Sequence, residues 1–179
     1  KFAFEKYDIV PDILCVSKAI ACGLPLSLTI YDGDNIITSK KMQFHYMMET
    51  TFAGFELGLK MANYTLERIH NSSEEWIPVA EYFSNQLKQL KRYNVVGDVR
   101  SNGMIFALEF IDSSTSCSSR LKALQFVRAV RKKGVLINDP GYSSVVLIHP
   151  NISIKKQEID IIISIFIECL ESICTKRKD

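Results

Sequence analysis

Hydrophobic positions along this chain follow two different periods, and each period selects a different kind of element. Residues 13–17, Ile-Leu-Cys-Val-Ser, form a short continuous apolar run, which predicts a strand buried on both faces. The stretch LSLTIYD at 26–32 predicts a second strand, and the turn cluster DGDN at 32–35 ends it and starts a short helix. Residues 41–51 have no clean period. From Gly54 to His70 the apolar positions Phe55, Leu57, Leu59, Met61, Ala62, Leu66 and Ile69 fit a long helix. NSSEEW at 71–76 then carries a helix-start signal. Ser72 or Ser73 can cap, Glu75 lies three beyond Ser72, and the helix that follows runs to about Tyr93.

The segment VVGDVRSNGMIFALEFI, 95–111, reads as a β-hairpin turning at Ser101-Asn102-Gly103. A polar serine-rich loop, 112–119, leads to a helix over 120–133. Two short strands, 135–139 and 145–150, flank a Pro-Gly turn. The last helix, 156–174, carries Ile159, Ile162, Ile163, Phe166, Ile167 and Leu170 and is apolar nearly all round, so the core or a partner must bury it. The order β-β-α-α, then β-β-α-β-β-α, is α/β in the first third and α+β in the remainder. The two helices in series mark the expected boundary, dividing 1–72 from 73–179.

A hydrophobic share of 47% over 179 residues suits a globular chain with a real core. The 22 basic and 20 acidic side chains nearly balance, and KRKD at 176–179 reads as a frayed tail, so nothing calls for nucleic acid or an anionic membrane. Cys15, Cys22, Cys117, Cys169 and Cys174 are odd in number and form no CxxC pair. They read mostly as small core hydrophobes in a reducing, cytoplasmic setting, with neither a disulfide framework nor a metal centre. No apolar run reaches the roughly 18 residues of a membrane span. The opening KFAFEKYD, aromatic at once and without Met, predicts a chain cut from something larger.

Lys18 is the candidate for chemistry, because it ends the apolar run 13–17 and is followed by Gly23 and Pro25. A lysine at the carboxyl end of a buried strand loses hydration and becomes a nucleophile toward an aldehyde. A solvated lysine at a strand end is the plain alternative, since lysine is rarely buried.

Four segments in order resemble the class III (ω-amino) pyridoxal-phosphate aminotransferases of fold type I. FAFEKYDIVPDILCVSKAIACGLPLS resembles the stretch around the family's Schiff-base lysine, and TTFAGFELGLKMANYTLERI the threonine-phenylalanine turn and long helix after it. VGDVRSNGMIFALEF resembles the opening hairpin of the small domain, and GVLIND with VVLIHPNISI and EID its closing strand and last helix. The resemblance implies an α/β fold: the C-terminal part of a fold-type I transferase, with the end of the large-domain sheet in 1–72 and a small α+β domain in 73–179. It implies pyridoxal 5′-phosphate as cofactor and Lys18 as the lysine that carries it and moves the substrate proton. Thr51 would donate its hydroxyl to the cofactor phosphate of a neighbouring subunit, aided by the helix N-terminus, where its alternative is a plain N-cap. His45 and His149 read as packed residues, and Arg100 as fixing the small-domain hairpin through carboxylates. The expected partners are an amino acid, a keto acid and a second copy of the full-length chain.

The chain departs from the family at three places. Ala21 and Cys22 stand where glycines are usual, Phe55 replaces an asparagine, and Leu147 and Asn151 replace an arginine and a second proline. The missing arginine forks onto the substrate's α-carboxylate, which no leucine imitates. The ring-nitrogen aspartate, the stacking aromatic and the phosphate loop lie upstream of Lys1 in the family, so this chain alone is expected to be inactive and to leave apolar faces uncovered. Transamination from an ω-amino or diamino donor, with a leaning to the diaminobutyrate–2-oxoglutarate branch, is the leading expectation. Racemase or epimerase chemistry on the same cofactor and a non-catalytic dimerisation or binding module are the alternatives.

Overall fold

The apolar run after Asp12 forms strand β1 (Ile13–Val16), which pairs antiparallel with β2 (Leu28–Tyr31) in register Ile13 to Tyr31 and Val16 to Leu28. These features come from a computed structural model that describes residues 2–31, 51 and 53–174. The chain divides into two compact units, Lys1–Ser73 and Glu74–Asp179. The first unit opens with a helical turn, α1 (Ala3–Lys6), and carries a 3-10 turn at Lys18–Ala21 between its strands. It closes with α2 (Glu56–Asn71), whose apolar stripe includes the buried Ala62.

Ile20, Ala21 and Ala62 form the buried centre of this unit, with Val16, Leu24, Leu26, Leu28 and Leu66 packed around them. Strand β1 is therefore covered on one face only: Leu14 and Val16 are half-buried, Ile13 and Cys15 exposed. That corrects the expectation of burial on both faces, because no second layer stands over the Ile13 face among the described residues. Tyr7, Ile9, Val10, Ile30, Leu57 and Tyr64 are exposed as well, the uncovered apolar surface that the sequence predicted. The turn at 32–35, the aperiodic stretch up to residue 50 and His45 lie outside the described residues.

Ser72 does not cap the second helix. Its hydroxyl donates back to the Arg68 carbonyl at 2.6 Å, satisfying the end of α2, and α3 (Ser73–Lys88) begins at once with Glu74 and Glu75 in its first turn. A 3-10 turn, Gln89–Arg92, follows where the sequence predicted continued helix.

The second unit is a three-stranded antiparallel sheet, β3 (Val96–Asn102), β4 (Ile105–Phe110) and β5 (Val145–Ile148), in that spatial order. The Asn102–Ile105 pairing leaves a two-residue turn, Gly103-Met104, one position later than predicted. Gly103 has φ +56° and Met104 is not left-handed, the signature of a type II′ hairpin, which places glycine first. On one face the cross-strand row Val99, Leu108, Val146 is buried against α4 (Arg120–Lys132) and α5 (Lys156–Cys174). The rings of Phe110, Phe126 and Phe166 pack in series through this core, the first pair tilted at 5.0 Å and the second edge-to-face at 5.1 Å. Helix α5 buries Ile159, Ile163, Phe166 and Leu170 but leaves Ile161 exposed, so it is not enclosed on all sides.

The strand predicted at 135–139 does not form, and β5 stops at Ile148. Arg131 donates from Nε and Nη2 to the Ile137 carbonyl at 3.0 and 2.7 Å, so a side chain occupies the acceptor that a ladder would use. Among the described residues no helix is long and apolar enough to cross a membrane.

Candidate functional site

Lys18 sits two residues beyond the end of β1, at the first position of the 3-10 turn, and it is exposed. The expected buried strand end is thus corrected: the buried residues of this turn are Ile20 and Ala21, which anchor it on α2, and Lys18 stands outside them. Its backbone is the unusual feature. Lys18 has φ +59°, Cys22 +51° and Gly23 +95°. Only glycine visits this region freely; other residues are held there at a cost of about 1–2 kcal/mol each. Such strain persists where the surroundings over-determine it, and it clusters at functional positions.

The surroundings supply the restraint. Cys22 N donates to the Ala19 carbonyl at 3.1 Å and Leu24 N to Ala21 at 3.0 Å, closing the turn on itself. Cys22 Sγ lies 3.3 Å from Thr65 Oγ1 on α2. On the same helix Gly58 provides a notch, since a Cβ there would come within 2.8 Å of the Phe55 ring and 3.5 Å of Leu26 Cβ. Sequence reading flagged Cys22 as a departure but missed Thr65, because nothing in a helical threonine announces a contact 43 residues away.

Thr51 lies in an exposed turn five residues before α2. It is not the N-cap; Phe55 holds that position and makes no side-chain capping bond. The first turn of a helix carries amides that its own carbonyls do not use, the kind of group that binds an anion. Glu56, the acidic residue there, is drawn to Lys60 at 2.6 Å. An amine on an anchored turn, an exposed threonine and a helix start whose N-cap side chain makes no capping bond fit the reactive and anionic ends of a phosphorylated aldehyde cofactor. Among the described residues no hydrogen bond joins Lys18 to Thr51; the Lys18 turn packs on α2 through Ile20 and Ala21, and Thr51 precedes that helix in the chain.

In the second unit Arg100, Ala107 and Leu147 occupy one cross-strand row on the face opposite the core. Arg100 Nη1 donates to Glu109 Oε2 at 2.6 Å and Asp98 Oδ2 at 2.9 Å, and Lys91 reaches Asp98 at 2.7 Å. The arginine fixes the hairpin through carboxylates, as the sequence suggested. Lys91, Arg100 and the Val99 amide hold the Asp98 carboxyl down at about 2, against an ordinary 3.8. A depressed carboxyl stabilises the fold above its unfolded value and loses that contribution as pH falls toward the folded one. Acid unfolding should therefore show an Asp98-dependent component between pH 4 and 2, weakened by salt because the group is exposed. Asp98→Asn, followed by thermal midpoint against pH, should flatten that window; an unchanged slope would remove Asp98 from the acid response.

Leu147 also borders a hollow of about 130 Å³ of mixed polar and apolar lining, with Leu136, Ile137, Asn138, His149, Pro150 and Ile162 around it. Among the described residues no group of His, Cys, Asp and Glu is arranged to hold a metal ion.

The antiparallel hairpin unit, the strained lysine turn and the order of elements define part of a transaminase fold. The class-III aminotransferase family matches residues 1–170, and the chain belongs to that family. It is 26% identical over 171 residues to human mitochondrial alanine–glyoxylate aminotransferase 2, covering 92% of this chain and 33% of that protein. It is 27% identical over 192 aligned residues to the adenosylmethionine-8-amino-7-oxononanoate aminotransferase of Staphylococcus aureus, covering 98% and 40%. A solved amine transaminase from an uncultivated Pseudomonas species, in its PLP-bound form, superposes with a TM-score of 0.79 at 24% identity over 95% of this chain and 40% of that one. The chain thus spans between a third and two fifths of the length of these relatives.

Proposed function

We propose that the full-length protein is a pyridoxal 5′-phosphate-dependent aminotransferase that moves an amino group from an ω-amino or diamino acid to a keto acid. The observation that carries this reading is the left-handed Lys18 backbone on an anchored turn, in a chain matched by the family over residues 1–170. When bound, the cofactor supplies a carbonyl that condenses with amines and a ring that accepts electron density. Lys18 holds it covalently and moves the proton of the substrate carbon. Thr51 donates its hydroxyl to a phosphate oxygen, beside the start of α2, and does so for a neighbouring subunit of a homodimer. Residues 1–72 belong to the large cofactor-binding domain and 73–179 form the small domain. Five free cysteines suit the reducing cytoplasm.

The test uses the full-length protein with pyridoxal 5′-phosphate, borohydride reduction and peptide mapping. The expected result is the cofactor fixed on Lys18, together with glutamate formed from 2-oxoglutarate and a diamino donor. Fixation on another lysine, or none, defeats the Lys18 assignment; fixation without amino transfer turns the reading toward racemase or epimerase chemistry.

A further inference from the structure

We propose that Cys22 and Thr65 form the positioning contact that sets the Lys18 turn, and through it the placement of the Lys18 amine. The inference rests on the reading of Lys18 as the cofactor-bearing lysine. Neither residue is a catalytic group; each acts through the backbone between Lys18 and Gly23.

The turn has a problem to solve. Both its first residue, Lys18, and the residue closing it, Cys22, are non-glycine at positive φ. Each would relax toward negative φ if the turn were free, and that relaxation would swing the lysine stem. Buried Ile20 and Ala21 pin the middle of the turn against α2. They do not fix its last residue, whose side chain is exposed. What reaches Cys22 from outside the turn is Thr65. The Thr65 hydroxyl donates to the Met61 carbonyl one helical turn back, at 2.8 Å, so its own proton is engaged. In the 3.3 Å contact the oxygen must therefore accept, and the Cys22 thiol must donate. The contact has a defined direction, and its acceptor is fixed to the helix. A weak donor suffices, because it only has to keep one strained well from relaxing, at the point where the loop leaves the turn for Gly23 and Leu24.

The same logic gives each substitution a distinct outcome. Cys22→Ala keeps the backbone cost and drops the tether. Cys22→Ser restores an O–H donor of nearly the same reach. Thr65→Val preserves shape and branching on α2 and removes the acceptor. The measurement is the rate at which borohydride fixes pyridoxal 5′-phosphate on Lys18 in the full-length protein, with amide hydrogen exchange followed across residues 18–24 and 56–71.

Cys22→Ala and Thr65→Val should each slow fixation about twofold, the low end for a lost hydrogen bond because the thiol is a weak donor, and speed exchange at the Cys22 and Leu24 amides. The double variant should be no slower than either single one, since both remove the same contact. Cys22→Ser should fix the cofactor at close to the original rate. Unchanged fixation in both single variants overturns the proposal, as does a serine variant as slow as the alanine one. Exchange that quickens along the whole of α2 also overturns it, because Thr65 would then be ordinary helix packing. Absence of any adduct on Lys18 in the unsubstituted protein is a different failure: it removes the Lys18 reading, and this inference with it.

Discussion

Lys18→Gly in the full-length protein should give a more stable and far less active enzyme. The two effects have separate causes. Lys18 is exposed, so its removal opens no cavity, and glycine accepts φ +59° without the left-handed penalty of about 1–2 kcal/mol. Part of that gain is lost because glycine also frees the unfolded chain, by roughly 0.5–1 kcal/mol. With the cofactor removed from both proteins, so that its loss from the variant does not enter, a rise in thermal midpoint of the unit that contains the turn is the expected balance. Activity moves the other way. On the proposed reading the amine assigned to hold the cofactor and transfer the proton is gone, and a positioned acid–base group alone contributes about 10²–10⁴-fold. Single-turnover kinetics with the cofactor and calorimetry without it test both halves. A variant that is destabilised, or one that still turns over at the original rate, would show that the left-handed lysine is not strain kept for chemistry.

What the sequence revealed and what it hid divide along a physical line. Helices α2, α4 and α5 were legible because a buried stripe recurs every three to four residues, and their ends fell within two residues of expectation. The β3–β4 hairpin was legible from Gly103, since a two-residue turn needs a left-handed first position. Three things were not legible. The apolar stretch at 135–139 looks like a strand, but Arg131 takes the Ile137 carbonyl, and a side chain six residues earlier leaves no local mark. Ser72 offered a capping pattern to the following helix, yet the preceding helix end competed for the same hydroxyl and won it. The run at 13–17 promised burial on both faces, but such a pattern cannot say which layers supply it, and the described residues cover one face.

The candidate site divides in the same way. Lys18 was legible as a residue type at the end of a run, while its conformation was not, because lysine gives no sign of positive φ. Thr51 was singled out through the family resemblance, and its N-cap alternative falls to the observed cap position at Phe55. Thr65 became visible only through its contact with Cys22, the residue that stands where a glycine is usual.

Leu147→Arg should tighten binding of a keto-acid acceptor, or create it where it is missing. Leu147 is 45% exposed on the open face of the sheet, in the row that contains Ala107 and Arg100. Arg100 cannot easily replace the arginine that the family resemblance places at 147. Two strand spacings put the two Cα atoms about 10 Å apart. The Arg100 guanidinium is also committed, held by Glu109 at 2.6 Å and Asp98 at 2.9 Å; releasing it would take the cation from Glu109 and leave Asp98 with Lys91 alone. A dicarboxylic keto acid meeting this face therefore finds a leucine, and dispersion alone cannot offset the desolvation of a carboxylate. An introduced guanidinium supplies charge-assisted hydrogen bonds worth about 1.5–3 kcal/mol, which corresponds to roughly a ten- to hundredfold fall in KM for 2-oxoglutarate. Glu109, diagonal to position 147 across the β4–β5 pair, can draw the new side chain toward itself, so the gain is greatest while Arg100 keeps that carboxylate occupied. Leu147→Met, which changes shape without adding charge, should leave KM where it was. Steady-state kinetics on the three proteins decides. If the arginine variant still carries its cofactor on Lys18 but binds 2-oxoglutarate no better, the site is built for a substrate without that carboxylate, and proton transfer without amino transfer becomes the better description of its chemistry.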